Sequence, residues 1–331
     1  MKTKNLGASA LQVSAIGLGH SMGADDFSTA GRQQFDRLIA RALDLGVTFF
    51  DTSDAYWDGQ HEKWLGTALK SAQSGKPGHA VVASKFGNIT LPDGRKATNA
   101  RPEYVKSCCE ASLKRLGTDC IDLYYLHRVD PKTPIEDTIG AMSRLVEQGK
   151  VRYLGICEAG AVTLERAHRV HPLTALQAEY SLWCREVQEE VMDTCRRIGI
   201  GFVGYSPLGR GLLTGGIQTF EDLALGDRRR IHPRFQGENL THNLALVAQM
   251  EVIARRRGLN TAQLALAWAV AQGQDIVPLT GTQREHFLEQ SAAAAGYTLD
   301  AADRAELEAI FTPSACAGQR YPLAMLAGLG I

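Results

Sequence analysis

Val47-Thr48-Phe49-Phe50-Asp51-Thr52-Ser53-Asp54-Ala55-Tyr56 changes character after its fourth residue. The first four residues are β-branched or aromatic, as in a buried strand, and the charged and hydroxylic residues that follow mark that strand's carboxyl end. Two later runs repeat the pattern: Ala80-Val81-Val82-Ala83-Ser84 runs into Lys85, and Ile121-Asp122-Leu123-Tyr124-Tyr125-Leu126 runs into His127. Three strand-like runs therefore each end on an ionisable side chain, and Tyr56 adds a fourth such group. A parallel barrel gathers the carboxyl ends of its strands on one face, where groups distant in sequence converge.

Outward from these runs the chain alternates strand and helix. Leu6-Gly7-Ala8-Ser9, Leu11-Gln12-Val13-Ser14 and Ala15-Ile16-Gly17-Leu18-Gly19 read as a small hairpin or plug leading into a first barrel strand. Apolar spacing at Phe35, Leu38, Ile39, Ala42 and Leu43 predicts a helix over 29–45, stopped by Gly46. Further helices are expected near 61–72, 102–116, 135–148, 162–170, 187–198, 240–257 and 261–271. Strand markers fall at Ile16, Val47, Val81, Ile121, Tyr153, Ala175, Phe202 and Ile276. These strands, alternating with helices and too apolar for a half-exposed sheet, predict an α/β chain folded as a (β/α)8 TIM barrel rather than an open sheet. We expect a single domain over 1–331, with an N-terminal β-hairpin and a C-terminal loop, 319–331, over the barrel mouth.

Composition narrows the partners. Lys+Arg 36 against Asp+Glu 36 leaves no overall field to favour nucleic acid or an anionic membrane. The N-terminus lacks an apolar signal core and no run reaches the ~20 apolar residues of a membrane span, so a cytoplasmic location is expected. The 7 cysteines include no Cys-x-x-Cys pair, which suits reduced thiols rather than disulfides or zinc.

A Tyr, a Lys, an Asp and a His at one barrel mouth point to acid catalysis by a phenol. The Lys85 ammonium is expected to lower the pKa of Tyr56, Asp51 to hold Lys85 charged, and His127 to position a substrate oxygen. Such a set polarises a carbonyl and delivers a proton as hydride arrives at carbon. Weaker motifs are set aside. Gly17-Leu18-Gly19-His20-Ser21-Met22 lacks the third glycine of a dinucleotide fingerprint. No Tyr has a Lys four residues later. His168 and His171 have no nearby third ligand for a metal, and Arg228-Arg229-Arg230 reads as a solvated loop that could meet an anionic cofactor.

Asp51 to Tyr56, Lys85 within Ala83-Ser84-Lys85-Phe86-Gly87, and His127 after Asp122 to Leu126 resemble the catalytic tetrad of the aldo-keto reductases. The resemblance covers nearly the whole chain. Glu62-Lys63-Trp64-Leu65-Gly66, Gln177-Ala178-Glu179-Tyr180-Ser181-Leu182 and Tyr205-Ser206-Pro207-Leu208-Gly209-Arg210-Gly211 are each similar to family segments, and Arg228 to Phe235 with Glu238-Asn239-Leu240 is similar to the bacterial and plant branch. The resemblance implies an NADPH-dependent carbonyl reductase, NADH being possible, with Tyr56 as proton donor. It assigns the cofactor to Gly19, His20, Cys157, Glu158, Gln177, Tyr205, Ser206, Pro207, Leu208, Arg210, Gly281, Thr282, Gln283, Arg284, Gln290 and Ser291. Gln177 would meet the nicotinamide amide, Tyr205 would stack on the ring, and Thr282 with Arg284 would meet the adenosine 2′-phosphate. Two departures stand out: Cys157-Glu158 replaces the usual Ser-Asn or Ser-Glu, and Gln290-Ser291 replaces Glu-Asn at the adenine. Trp57 and Trp183 are expected to line an aromatic substrate pocket, favouring aromatic aldehydes. A second reading is a regulatory NADPH-binding subunit resembling potassium-channel β subunits, with slow turnover.

Overall fold

Alternation along each strand decides what faces the inside of the molecule. In the computed structural model, which describes residues 1–20, 27–74, 79–326 and 328–330, two short strands come first, β1 (Thr3–Asn5) and β2 (Gln12–Ser14), paired antiparallel. The barrel strands β3 (Gly17–Gly19), β4 (Phe49–Asp51) and β5 (Val81–Phe86) follow, then a hairpin of β6 (Asn88–Thr90) and β7 (Lys96–Thr98). β8 (Ile121–Leu126), β9 (Val151–Cys157), β10 (Ala175–Glu179), β11 (Gly201–Tyr205) and β12 (Ile276–Gly281) complete a closed, all-parallel barrel in which β12 pairs with β3. The helices are α1 (Thr29–Asp44), α2 (Gln60–Ala72), α3 (Pro102–Leu116), α4 (Ile135–Glu147), α5 (Ala161–Val170), α6 (Val191–Ile198), α7 (Gly237–Arg256), α8 (Thr261–Ala271), α9 (Glu285–Ala294), α10 (Ala301–Ile310) and the single turn α11 (Leu323–Leu326).

The interior is a stack of alternate residues. Phe49, Val81, Ala83, Leu123, Tyr125, Cys157, Ala175, Val203, Val277 and Leu279 form one buried cluster with Leu6, Leu11 and Val13 of the β1–β2 hairpin. The hairpin thus plugs the amino-terminal end: the Ala8 amide donates to the Gly199 carbonyl at 2.8 Å, just before β11. Space inside is tight. A Cβ on Gly155 would lie 2.4 Å from the Tyr125 ring, so glycine there is what admits the tyrosine. Emptying this layer by Phe49→Ala would cost about 3–5 kcal/mol. Outward residues such as Phe50, Leu126 and Ile156 pack under the helices instead.

Each expected strand marker lies in or within two residues of a barrel strand, and the expected hairpin is present. The helices over 102–116 and 261–271 match α3 and α8 end to end. α6 starts four residues later than expected, because 187–190 form turns in which the Met192 amide reaches back to the Val187 carbonyl. The β6–β7 hairpin and α10 were not expected. The hairpin turns at Pro92-Asp93-Gly94, with Gly94 at φ +83°, and α10 begins at an Asp300 cap that accepts from the Asp303 amide. No helix among the described residues is long and apolar enough to cross a membrane.

Candidate active site

Beyond the apolar layers the same alternation delivers the ionisable groups. Phe49 is followed on its face by Asp51, Val81 and Ala83 by Lys85, Leu123 and Tyr125 by His127, and Ala175 by Gln177 and Glu179. Lys85 Nζ donates to Asp51 Oδ1 and, at 2.8 Å, to the Thr52 carbonyl, and it lies 3.5 Å from the Tyr56 hydroxyl. Gln177 Nε2 donates to Asp51 Oδ2 at 2.9 Å. The His127 ring meets the Tyr56 ring edge-on with centroids 5.9 Å apart, and its Nδ1 lies 3.2 Å from Ser53 Oγ. His20 stacks on the Tyr56 ring, with centroids 4.8 Å apart.

Burial sets the electrostatics. It raises the Asp51 pKa, a shift that Lys85 and Gln177 oppose. For Lys85 burial works downward, but Asp51 outweighs it and holds the ammonium above the ordinary lysine value. His127 is pushed well below its ordinary value by burial and by the Arg128 and Lys85 charges, so its imidazole is neutral. The expectation for Tyr56 needs correcting: its pKa is raised, not lowered. Burial dominates, and the nearby Lys85 charge is partly cancelled because Asp51 pairs with it and pushes the phenol the other way.

The C-terminal stretch reaches the mouth and is clasped there. Arg320 donates to both carboxylate oxygens of Glu158, at 3.0 and 2.7 Å, and the Gly330 amide donates to the Glu158 carbonyl. Tyr205 bonds through its hydroxyl to Glu158 at 2.7 Å and to Tyr321 at 3.1 Å. Arg210 donates to Glu179 at 2.7 Å and lies over the Tyr321 ring, 4.2 Å from its centroid. Of the 319–331 stretch, residues 327 and 331 lie outside the described residues, as do Ser21 and Met22 of the glycine motif.

Strain marks the same face. The non-glycine residues with positive φ among the described residues are Trp57, Asp58, Glu158, Ser206 and Arg210, and all lie just past the carboxyl ends of β4, β9 and β11. Such conformations cost of order 1–3 kcal/mol each and gather at functional sites. Trp57 stands among His20, Phe35, His61 and Trp64, where these rings line a small cavity of about 50 Å³ beside Asp51.

The other expected site residues divide into two groups. Gly19, His20, Tyr205, Ser206, Pro207 and Leu208 stand at strand ends on the mouth face. Gly281 ends β12, Gln283 bonds through its carbonyl to Gln34, the Thr282 hydroxyl accepts from the Arg284 amide at 3.1 Å, and the exposed Arg284 caps α9. The second group is engaged elsewhere. Cys157 points into the barrel interior, where burial lifts its thiol to about 12. Glu158 is held by Arg320, Tyr205 and the Glu179 amide, Gln177 is tied to Asp51 through its amide nitrogen, and Arg210 to Glu179. Gln290 accepts from Asn260 at 3.1 Å, and Ser291 donates to the Phe287 carbonyl of its own helix. Trp183 is a correction: it is buried in the core with Phe311, 6.3 Å away, because the turn over 181–184 folds it inward. Ser53, Arg128, Glu179 and Arg320 were missed. Glu179 was accessible in principle, two residues past Gln177 on one strand and so on one face.

The Aldo/keto reductase family model matches residues 15–311. The chain belongs to the aldo/keto reductase family. It is therefore an oxidoreductase of carbonyl compounds, from a family that uses nicotinamide cofactors. Among solved structures it is similar to the glycerol dehydrogenase AKR11B4 from Gluconobacter oxydans, at 26% identity and a TM-score of 0.84, covering 94% of this chain and 96% of that one. The thermostable aldo-keto reductase Tm1743, solved in complex with the inhibitor epalrestat, matches at 25% identity and a TM-score of 0.74, over 94% of this chain and 100% of its own. The holo form of aldo-keto reductase AKR11C1 from Bacillus halodurans, at 24% identity, shares the fold with a TM-score of 0.79 over 95% of this chain and 97% of that one.

Proposed function

We propose that the chain is an NADPH-dependent reductase of aldehydes or ketones in which Tyr56 is the general acid. The observation that carries this reading is the Tyr56 hydroxyl 3.5 Å from Lys85, whose charge is secured by Asp51. NADPH, when bound, supplies the hydride. Tyr56 gives its proton to the carbonyl oxygen as the carbonyl carbon is reduced, and Lys85 stabilises the phenolate left behind until solvent returns the proton. The raised pKa keeps Tyr56 protonated near neutral pH, the form a proton donor needs. His127, neutral, donates its Nε2–H to the same oxygen in the tautomer whose Nδ1 accepts from the Ser53 hydroxyl.

The residues present fit a nicotinamide dinucleotide at both ends. Tyr205 offers an aromatic face at the mouth, and the 206–208 segment a backbone turn beside it. Arg284 and the Thr282 hydroxyl, at the N-terminus of α9, offer charge and dipole to the adenosine 2′-phosphate. NADH, lacking that phosphate, is expected to bind more weakly. The fit is poorer at Cys157, Glu158, Gln290 and Ser291, whose polar atoms are turned inward or already bonded. The seven cysteines are all free, which supports a cytoplasmic enzyme. An assay of NADPH oxidation over a panel of aldehydes, ketones and quinones tests the reading. Steady turnover of aldehydes supports it; tight cofactor binding with no turnover of any carbonyl would favour a regulatory subunit instead.

A further inference from the structure

Among the described residues, three cations at the mouth each have a carboxylate partner. Lys85 is matched by Asp51, Arg210 by Glu179 and Arg320 by Glu158. Arg128, directly after His127, is left over. Among the described residues its guanidinium makes one hydrogen bond, to the His127 carbonyl at 2.7 Å, and has no carboxylate within ion-pair distance. Glu158, the carboxylate whose charge acts on it, is paired with Arg320 instead. Glu158 Oε1 accepts from Arg320 at 3.0 Å, from the Tyr205 hydroxyl at 2.7 Å and from the Glu179 amide at 2.9 Å, while Oε2 accepts from Arg320 at 2.7 Å. Three donors on Oε1 and one on Oε2 commit this carboxylate to Arg320, Tyr205 and the Glu179 amide.

Arg128 is half-buried, and most of its five donors have no protein partner, which leaves them open to an anion at the mouth. Resting on the reductase reading above, we propose that Arg128 binds a carboxylate carried by the carbonyl substrate, so that the natural substrates are oxo acids or aldehyde acids. The planar fork of an arginine suits a carboxylate bidentately. Its place next to His127 lets it hold one end of a molecule whose carbonyl oxygen lies between His127 and Tyr56. Tyr205, Tyr321, Glu158 and Cys157 are the titratable groups around it. The expected phosphate-facing groups, Arg284 and the 206–208 turn, stand at β11 and β12, whereas Arg128 stands at β8.

The test compares 4-carboxybenzaldehyde with its methyl ester, methyl 4-formylbenzoate, which keeps the shape and removes the charge. With wild-type enzyme and NADPH, kcat/KM for the acid should exceed that for the ester by roughly ten- to a hundredfold, the range of a charge-assisted contact. In Arg128→Met the ratio should fall to about one, chiefly through KM for the acid. Arg128→Lys, which keeps the charge without the fork, should fall between. An acid-to-ester ratio of one or less in wild type, or a ratio unchanged in Arg128→Met, would overturn the proposal, as would an equal weakening of NADPH and acid by that substitution. If neither aldehyde is turned over, it is the reductase reading that fails. Calorimetry with 4-(hydroxymethyl)benzoate then decides the anion site: binding to wild type that is lost in Arg128→Met and partly kept in Arg128→Lys supports it, and no binding or equal binding overturns it.

Discussion

Replacing Lys85 by Met removes one half of a fully buried ion pair. The Lys85 side chain is 0% exposed and that of Asp51 2%, so water cannot compensate the carboxylate left behind, which keeps only its bond from Gln177. Breaking such a pair from one side costs about 3–5 kcal/mol. An unfolding entropy of roughly 2.1 cal/mol/K per residue gives about 0.7 kcal/mol/K for 331 residues, so Tm should fall by about 4–7 °C. Asp51→Asn should cost a similar amount, because it strands the ammonium instead. The Asp51→Asn/Lys85→Met double variant strands neither charge and should lie at least about 2 kcal/mol above the sum of the singles. Thermal and urea unfolding of the four proteins, followed by circular dichroism, measures this cycle. Strict additivity, or single variants within about 1 kcal/mol of wild type, would refute the claim that the two charges depend on each other.

Arg284→Ala should remove most of the preference for NADPH, a change of about ten- to a hundredfold in its dissociation constant, and leave NADH binding little altered; fluorescence titration with both cofactors checks this, and equal losses would show that Arg284 does not read the 2′-phosphate. Burial and the neighbouring Glu62 raise Asp54 to about 7, so the folded state holds a proton that the unfolded state releases near pH 4, and stability falls as pH rises from about 4 to about 7. Asp54→Asn should therefore raise Tm by up to about 6 °C at pH 8 and change it little at pH 4, as read by differential scanning calorimetry. Because burial raises Tyr56, wild type and Tyr56→Phe should show the same phenolate absorbance up to about pH 10; a wild-type excess near neutral pH would mean that Lys85 prevails over burial.

The barrel and its catalytic face were legible because both obey the period of two. Val81, Ala83 and Lys85 share a face by the pleat alone, and so do Leu123, Tyr125 and His127, so the face is shared from sequence, while the tertiary packing decides that it is the inner one. What depended on packing was not legible. Trp183 reads as an aromatic near the site, but the turn that folds it toward Phe311 follows from tertiary contacts. The clasp of Arg320 on Glu158 joins residues 162 positions apart, and no local pattern announces it. The sign of the Tyr56 shift depends on how far burial outweighs a paired ammonium, a balance of environment rather than residue type. The β6–β7 hairpin did have a signal, Pro92-Asp93-Gly94, between strands too short to show alternation.

The most direct measurement is single-turnover reduction of a saturating aldehyde by NADPH with wild type and Tyr56→Phe, alongside the cofactor's dissociation constant for each. We expect the rate of the chemical step to fall by about 10²–10⁴-fold, the contribution of a positioned general acid, with cofactor affinity changing less than about threefold. A Tyr56→Phe protein that kept most of its turnover would contradict the assignment of Tyr56 as the proton donor.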